Sequence, residues 1–226
     1  MSIVKNAIIS AAGMGTRLGL NMPKCLLKFN GISIIEHQLN LLKDIDSVRV
    51  IVGFMEEDVI REVKFFRKDA IFVRNPDYQK TSNTYSISLA NNNLREPHIL
   101  LDGDLLINKK SFNDFVNSIH KKNSLVGITK ASTDDAVYVK LNKKNSITSF
   151  SRKNKSEYEW SGIAFLNGIT INKKKPYLYQ TLENHLPLQA KYIECSEIDT
   201  ADDLKRAQHL WPRYFTKWLG YWFEFR

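Results

Sequence analysis

Cysteine is scarce: the 226 residues carry two, Cys25 and Cys195. They lie far apart and show neither metal-ligand nor redox spacing, which removes a cysteine-based zinc or dithiol site and suits a reducing compartment. Long apolar runs are missing too, so no segment reads as a bilayer span. The amino terminus has no signal-peptide pattern, and the expected location is cytoplasmic. No internal repeat is visible, and no stretch rich in Pro, Gly or Ser divides the chain. Acidic residues are in deficit, 24 against 33 Lys and Arg, for a net charge of +9. Such a surface attracts anions. No nucleic-acid-binding motif accompanies the charge, so nucleic acid is not an expected partner. Small polyanions meet the charge with fewer assumptions.

What is present fits one well-buried core, with 43% hydrophobic residues over this length. The expected organisation is a single domain over residues 1–210 and an aromatic helical tail over 211–226. Strand-like runs fall at Ala7–Ser10, Val48–Gly53, Ala70–Arg74, Ile99–Asp102, Leu125–Thr129, Val137–Leu141, Ile163–Leu166 and Tyr192–Cys195. Helical spacing marks Ser33–Leu42, Glu56–Arg67, Thr84–Asn91 and Ser111–His120. Strand–helix alternation predicts an α/β fold: a doubly wound, mainly parallel sheet in three layers, Rossmann-like. Val137–Leu141 and Ile147–Phe150 read as a hairpin in a small β-rich lid over a second substrate.

The densest signal follows the first strand. Ala11-Ala12-Gly13-Met14-Gly15-Thr16-Arg17 is a small-residue loop, and Pro23-Lys24-Cys25 comes soon after. Small residues let backbone N–H groups approach a ligand, and Arg17 and Lys24 add fixed positive charge. A polyphosphate cradle is the expectation, with Arg17 on the outer phosphates and Lys24 at the reacting one. The spacing is neither the Walker pattern nor the dinucleotide fingerprint. Cys25, inside this segment, reads as a small packing residue.

This block resembles the opening of the nucleotidyltransferases that make activated sugars and activated alcohol phosphates. The likeness recurs at Asn83-Thr84-Tyr85-Ser86, Leu101-Asp102-Gly103-Asp104, Trp160-Ser161-Gly162-Ile163 and Glu197-Ile198-Asp199-Thr200. The Asn-x-Tyr-Ser segment resembles the branch of phosphocholine and aminoethylphosphonate cytidylyltransferases. The resemblance implies a GT-A-like nucleotidyltransferase fold and a Mg²⁺-dependent transfer of CMP from CTP to phosphocholine, phosphoethanolamine or 2-aminoethylphosphonate, releasing pyrophosphate. The alternative is a sugar-1-phosphate nucleotidyltransferase using another NTP. Products would feed decoration of a surface polysaccharide or lipid.

Asp102 and Asp104 close a buried-looking strand, where carboxylates are costly without a cation. The resemblance makes Asp104 and Asp199 the metal ligands and puts Asp102 on the nucleotide side. Residues 11–17, Lys24, Asn83, Ser86 and Asp102 are the expected nucleotide contacts. For Asn83 a second reading stays open: it caps the helix that follows. Thr200 and Asp203 have the spacing of a helix cap.

The expected acceptor contacts are Tyr85, Asp134, Asp135, Tyr158 and Trp160. Asp134 and Asp135 stand beside Ala136, where a choline-directed enzyme is expected to carry an aromatic. Two acids suit a primary amine, which donates hydrogen bonds that trimethylammonium lacks. Tyr158 and Trp160 offer an aromatic wall in the competing reading. In the tail, Trp211, Tyr214, Phe215, Trp218, Trp222 and Phe225 recur at helical spacing among Arg213 and Lys217. They pack in a homodimer interface, lie at a membrane surface or return to their own core.

Overall fold

The structure, a computed structural model, describes residues 4–94, 96–120, 122–132 and 136–207. The aromatic tail, Asp134 and Asp135 lie outside the described residues. Strand β1 (Asn6–Ser10) carries Ala7 and Ile9 into one apolar cluster and Ile8 into another, all three fully buried. A strand covered on both faces is apolar at consecutive positions, as this one is.

Two short strands, β2 (Lys28–Phe29) and β3 (Ile32–Ser33), lead into helix α1 (Ile34–Leu41). Ser33 caps that helix by accepting the Glu36 N–H at 3.2 Å. Then come β4 (Ser47–Val52), α2 (Glu56–Phe66), β5 (Ile71–Arg74), α3 (Asn83–Asn91) and β6 (His98–Asp102). In this half β5, β4, β1 and β6 lie side by side and all run parallel. Consecutive parallel strands must be joined by crossovers, which the intervening helices provide.

The second half begins with β7 (Leu105–Ile107) and α4 (Lys109–Asn117), followed by β8 (Leu125–Lys130), β9 (Tyr138–Leu141), β10 (Ser146–Ser151) and β11 (Tyr158–Leu166). Helix α5 (Tyr179–Leu182), β12 (Leu188–Tyr192) and β13 (Cys195–Glu197) complete the named elements, and residues 201–207 are helical. The main sheet has nine strands in the order β5-β4-β1-β6-β11-β8-β12-β10-β9. β11 is antiparallel to both β6 and β8, while β12 runs parallel to β8. The parallel character of the sheet therefore belongs to the first half, and the second half is mixed.

The two apolar clusters cover opposite faces. One joins α1, α2 and α4 to Ala7, Val50, Leu101 and Phe165; the other joins α3 and α5 to Ile8, Leu100, Val126 and Ala164. The result is three layers. Each fully buried Ile or Phe in them contributes about 1.5–3 kcal/mol relative to exposure.

Three expectations shift. The predicted hairpin forms as β9 and β10, and it is bonded into the main sheet at both sides: β10 pairs with β12, and β9 returns to pair with the start of β11. β11 starts at Tyr158, five residues before the expected run, and its register shifts between Trp160 and Ala164 around Gly162, which has a φ of 78°. The polar Tyr-Glu-Trp-Ser-Gly stretch hides a strand that is lined by neighbours on both sides. The run Tyr192–Cys195 is not one strand. β12 ends at Tyr192, and β13 starts a separate two-stranded ribbon with β7.

Candidate active site

The loop after β1 runs over the carboxyl end of the parallel strands. Ala11 donates its N–H to Ile51 O at 3.0 Å, and Ala11 and Ala12 are both buried. Gly15 has a φ of 61°, and a Cβ there would lie 2.9 Å from Lys24 Cγ. A side chain at Gly15 would thus strain the backbone and displace the lysine. A Cβ on Gly13 would meet no atom within 4 Å. The space beside it belongs to a cavity of about 290 Å³ lined by Ala11, Ala12, Gly13, Gly15, Arg17, Lys24, Asn83, Ser86 and Asp102. Met14 and Thr16 do not line it; Thr16 instead opens a single 3-10 turn closed by the Gly19 N–H on its carbonyl.

The carboxylates arrive from the other end of the sequence. Gly103 donates its N–H to Ser10 O at 2.9 Å, and a Cβ at Gly103 would sit 2.5 Å from that oxygen. Only glycine lets the exit of β6 press on the exit of β1. The chain then enters β7, which pairs with β13 so that Leu105 faces Glu197. Ile198 N–H reaches Asp104 O at 3.1 Å. This ribbon assembles Asp104, Glu197 and Asp199, one carboxylate oxygen from each lying within 4.8 Å of the others. Beyond it, Asp203 accepts from Thr200 N and Thr200 Oγ1, both at 2.8 Å, while Asp203 N returns a bond to Thr200 Oγ1. That is the expected cap, with Asp in the place of Glu.

Lys24 Nζ donates to Asp104 Oδ2 at 2.9 Å and bonds Asp199 as well. Arg17 pairs with Asp199 at 2.5 Å. Burial alone would depress the Lys24 ammonium, but Asp104 and Asp199 hold it above its ordinary value. Desolvation in the cavity wall and the charges of Asp104, Asp199 and Asp102 hold the Glu197 carboxyl above its ordinary value, although the residue is exposed to the cavity. Burial and the Asp104 charge likewise raise Asp102 to about 7. The cluster is therefore short of positive charge. Its donor set is all oxygen, the set that hard divalent cations take. Cys25 is buried, and burial drives its thiol up to about 12, as a packing residue requires.

Asn83 does not cap α3; Ser82 does, by accepting the Tyr85 N–H at 3.2 Å. Asn83 accepts from Ser10 Oγ at 2.6 Å and donates to Asp102 Oδ1 at 3.1 Å, tying together the ends of β1, β6 and α3. Ser86 lines the cavity, with its hydroxyl accepting from Asn75 Nδ2 at 2.8 Å.

A larger cavity, about 830 Å³, opens on the far side of the acidic cluster. Arg17, Asn83, Asp102, Glu197 and Asp199 line both cavities, which places the cluster where they meet. Of the expected acceptor contacts, Trp160 lines the larger cavity. Tyr158 and Tyr85 line neither: Tyr158 packs edge-on against Tyr192, and on α3 it is Asn83 and Thr84 that reach the larger cavity. Tyr177, Tyr179, Tyr192 and Glu159 complete the wall, with Tyr177 and Tyr179 stacked at 5.7 Å and Arg152 over Tyr177 at 4.7 Å. Residue-level reading missed these four and left Glu197 without a role. Glu197 carried a signal, its place two residues before Asp199; the tyrosines carried none, because they come from separate elements.

The family model of the MobA-like NTP transferase domain matches residues 7–161. A choline-phosphate cytidylyltransferase of Streptococcus pneumoniae is 35% identical over 122 residues, 50% of this chain and 51% of that protein. A 2-aminoethylphosphonate cytidylyltransferase of Lancefieldella rimae is 32% identical over 108 residues, 45% of this chain and 44% of that protein. The chain thus matches about half the length of these relatives. The inositol-1-phosphate CTP transferase of T. maritima superposes with a TM-score of 0.77 at 20% identity, covering 95% of this chain and 98% of that one. The shared fold is the GT-A-like nucleotidyltransferase fold.

Proposed function

The chain belongs to the MobA-like NTP transferase family, a nucleotidyltransferase family, and from that premise we propose that it transfers CMP from CTP to a phosphorylated or phosphonylated amino alcohol. The observation that carries the reading is the pair of cavities meeting at Arg17, Asn83, Asp102, Glu197 and Asp199, with Lys24 and Asp104 bonded on the smaller cavity's side. A two-substrate transfer needs such a junction. The relatives named for choline phosphate and aminoethylphosphonate support this class of acceptor.

CTP lies in the smaller cavity, with its phosphates over the backbone of Ala11 to Gly15. Arg17 holds the outer phosphates, and Lys24 the α-phosphate. The acceptor lies in the larger cavity with its phosphate or phosphonate oxygen facing that phosphorus. The oxygen forms a bond to the α-phosphorus as the bond to the bridging oxygen breaks, and the electron pair leaves with pyrophosphate. The attacking oxygen is already ionised, so no side chain need remove a proton and no covalent enzyme intermediate forms. Positioning and charge neutralisation supply the rate. Asn83 holds Asp102 in place. Asp104, Glu197 and Asp199 would hold Mg²⁺, which when bound would neutralise charge on the phosphates.

The test crosses four nucleoside triphosphates against phosphocholine, phosphoethanolamine, aminoethylphosphonate and several sugar-1-phosphates, reading pyrophosphate release. CTP with an amino-alcohol acceptor should give the highest turnover. Faster release from a sugar-1-phosphate with UTP, dTTP or GTP would replace the proposal with the sugar-directed reading.

A further inference from the structure

One buried carboxylate takes no part in the transfer step. Glu159 lies on β11 and is 8% exposed, opposite Thr129 of β8 and Tyr138 of β9. Among the described residues its side chain has one partner, Ser132, whose N–H and hydroxyl both donate to Oε1 at 3.3 Å. No described lysine or arginine pairs with it, and burial raises its pKa against those two weak bonds. The residue lines the larger cavity, on the strand face it shares with Thr129. A carboxylate kept from water without a cation is costly, and a ligand that brings one recovers the cost.

The same strand reaches the reacting rim. Gly162 abuts Asp102: a Cβ there would lie 2.9 Å from Asp102 Oδ2. Glu159, three residues back, and Asp102 line one cavity.

We propose that Glu159 is the counter-ion for the acceptor's ammonium group and that it sets the preference for cationic over neutral acceptors. This rests on the acceptor class proposed above. A primary ammonium donates to the oxygen that Ser132 leaves open. A trimethylammonium, which has no N–H to donate, is held by charge. Glu159 acts on binding and touches none of the reacting atoms.

The enzyme with CTP and Mg²⁺ is assayed on phosphoethanolamine, phosphocholine and neutral propyl phosphate, as wild type and as Glu159→Gln. The variant should lose about tenfold to a hundredfold in kcat/KM on the cationic acceptors, mostly through KM, with propyl phosphate unchanged. An unchanged ratio of cationic to neutral acceptor overturns the proposal. Should Glu159→Gln fail to bind CTP, Glu159→Asp replaces it and must keep a cationic preference; its loss there overturns the proposal as well. Ethanolamine and choline alone serve as probes by tryptophan fluorescence titration. Both should bind the wild type and bind Glu159→Gln about tenfold more weakly. If the wild type transfers no nucleotide to any acceptor, the functional reading fails, and these titrations still decide for or against Glu159.

Discussion

The two halves of the sheet build their shares of the site by different routes. In the first half, the loop from Ala11 to Arg17 and Lys24 lies within 14 residues of chain, and the strands that support it, β4, β1 and β6, run parallel with their ends aligned. In the second half, Glu159 and Trp160 come from β11, Tyr177 and Tyr179 from the segment around α5, and Tyr192 from the end of β12. The proposed cradle for a group common to every nucleotide can be local, because backbone N–H groups would do the recognising. A pocket for a particular acceptor draws single side chains from several elements, and its parts can change without disturbing the cradle.

The comparison breaks most severely at the seam. Asp104→Ala or Asp199→Ala should lower turnover on the order of a thousandfold by pyrophosphate release, since both halves need the cluster. Near-normal Mg²⁺-dependent turnover in either variant refutes that assignment.

A second link across the seam is His37 of α1, which is buried and bonds the main chain of Ile107 in β7 at 2.9 Å. Burial drives its pKa down to about 4. The unfolded chain takes the proton first, near 6.5, so this contribution is complete above about 6.5 and is lost as pH falls toward 4, roughly 3 kcal/mol in all. Urea unfolding across that range should show the decline, and His37→Gln should flatten it. An equal slope in both proteins assigns the decline to other groups.

Within the first half, Lys24→Ala should lower kcat about a hundredfold with a smaller rise in KM for CTP, because its contact strengthens as charge moves toward the leaving group. The acceptor KM should stay put. A pure KM effect reduces Lys24 to ground-state binding. Within the second half, Trp160→Ala should raise the acceptor KM about tenfold, about 1.4 kcal/mol, and leave CTP alone. If both substrates suffer equally, the two halves do not act separately.

The smallest effect is choice among cationic acceptors. The acids expected at Asp134 and Asp135 lean toward aminoethyl substrates, so kcat/KM for phosphoethanolamine or aminoethylphosphonate should equal or exceed that for phosphocholine. A tenfold preference for phosphocholine, about 1.4 kcal/mol, reverses the lean.

The first half was legible almost element by element. Val48–Gly53 and Glu56–Arg67 were expected where β4 and α2 stand, because their apolar spacing matches the strand and helix periods. Legibility fails where a strand is held by its neighbours rather than by its pattern. The start of β11 lies before the apolar run at Ile163–Leu166 and carries no strand pattern of its own, yet its residues pair with β8 and β9. Asn83 shows the same limit inside the site. Its position before a helix suggested a cap, and only the approach of Ser10 and Asp102 gives it a bridging role.

By itself the sequence made Asp104 and Asp199 candidates through the family resemblance, and it marked the small-residue loop with Arg17 and Lys24 and the alternation of strands and helices. The loop and the alternation rest on interactions between near neighbours in the chain, which leave a pattern of spacing. The tertiary structure alone decided that Glu197 joins Asp104 and Asp199, that Lys24 lies between two of them, and that Glu159 shares a cavity with Tyr192. Those contacts span the chain, and they exist because β7 pairs with β13 and β11 lies between β6 and β8. Strand pairing across such separations follows from burying apolar faces over the whole sheet, a collective condition that no single segment encodes.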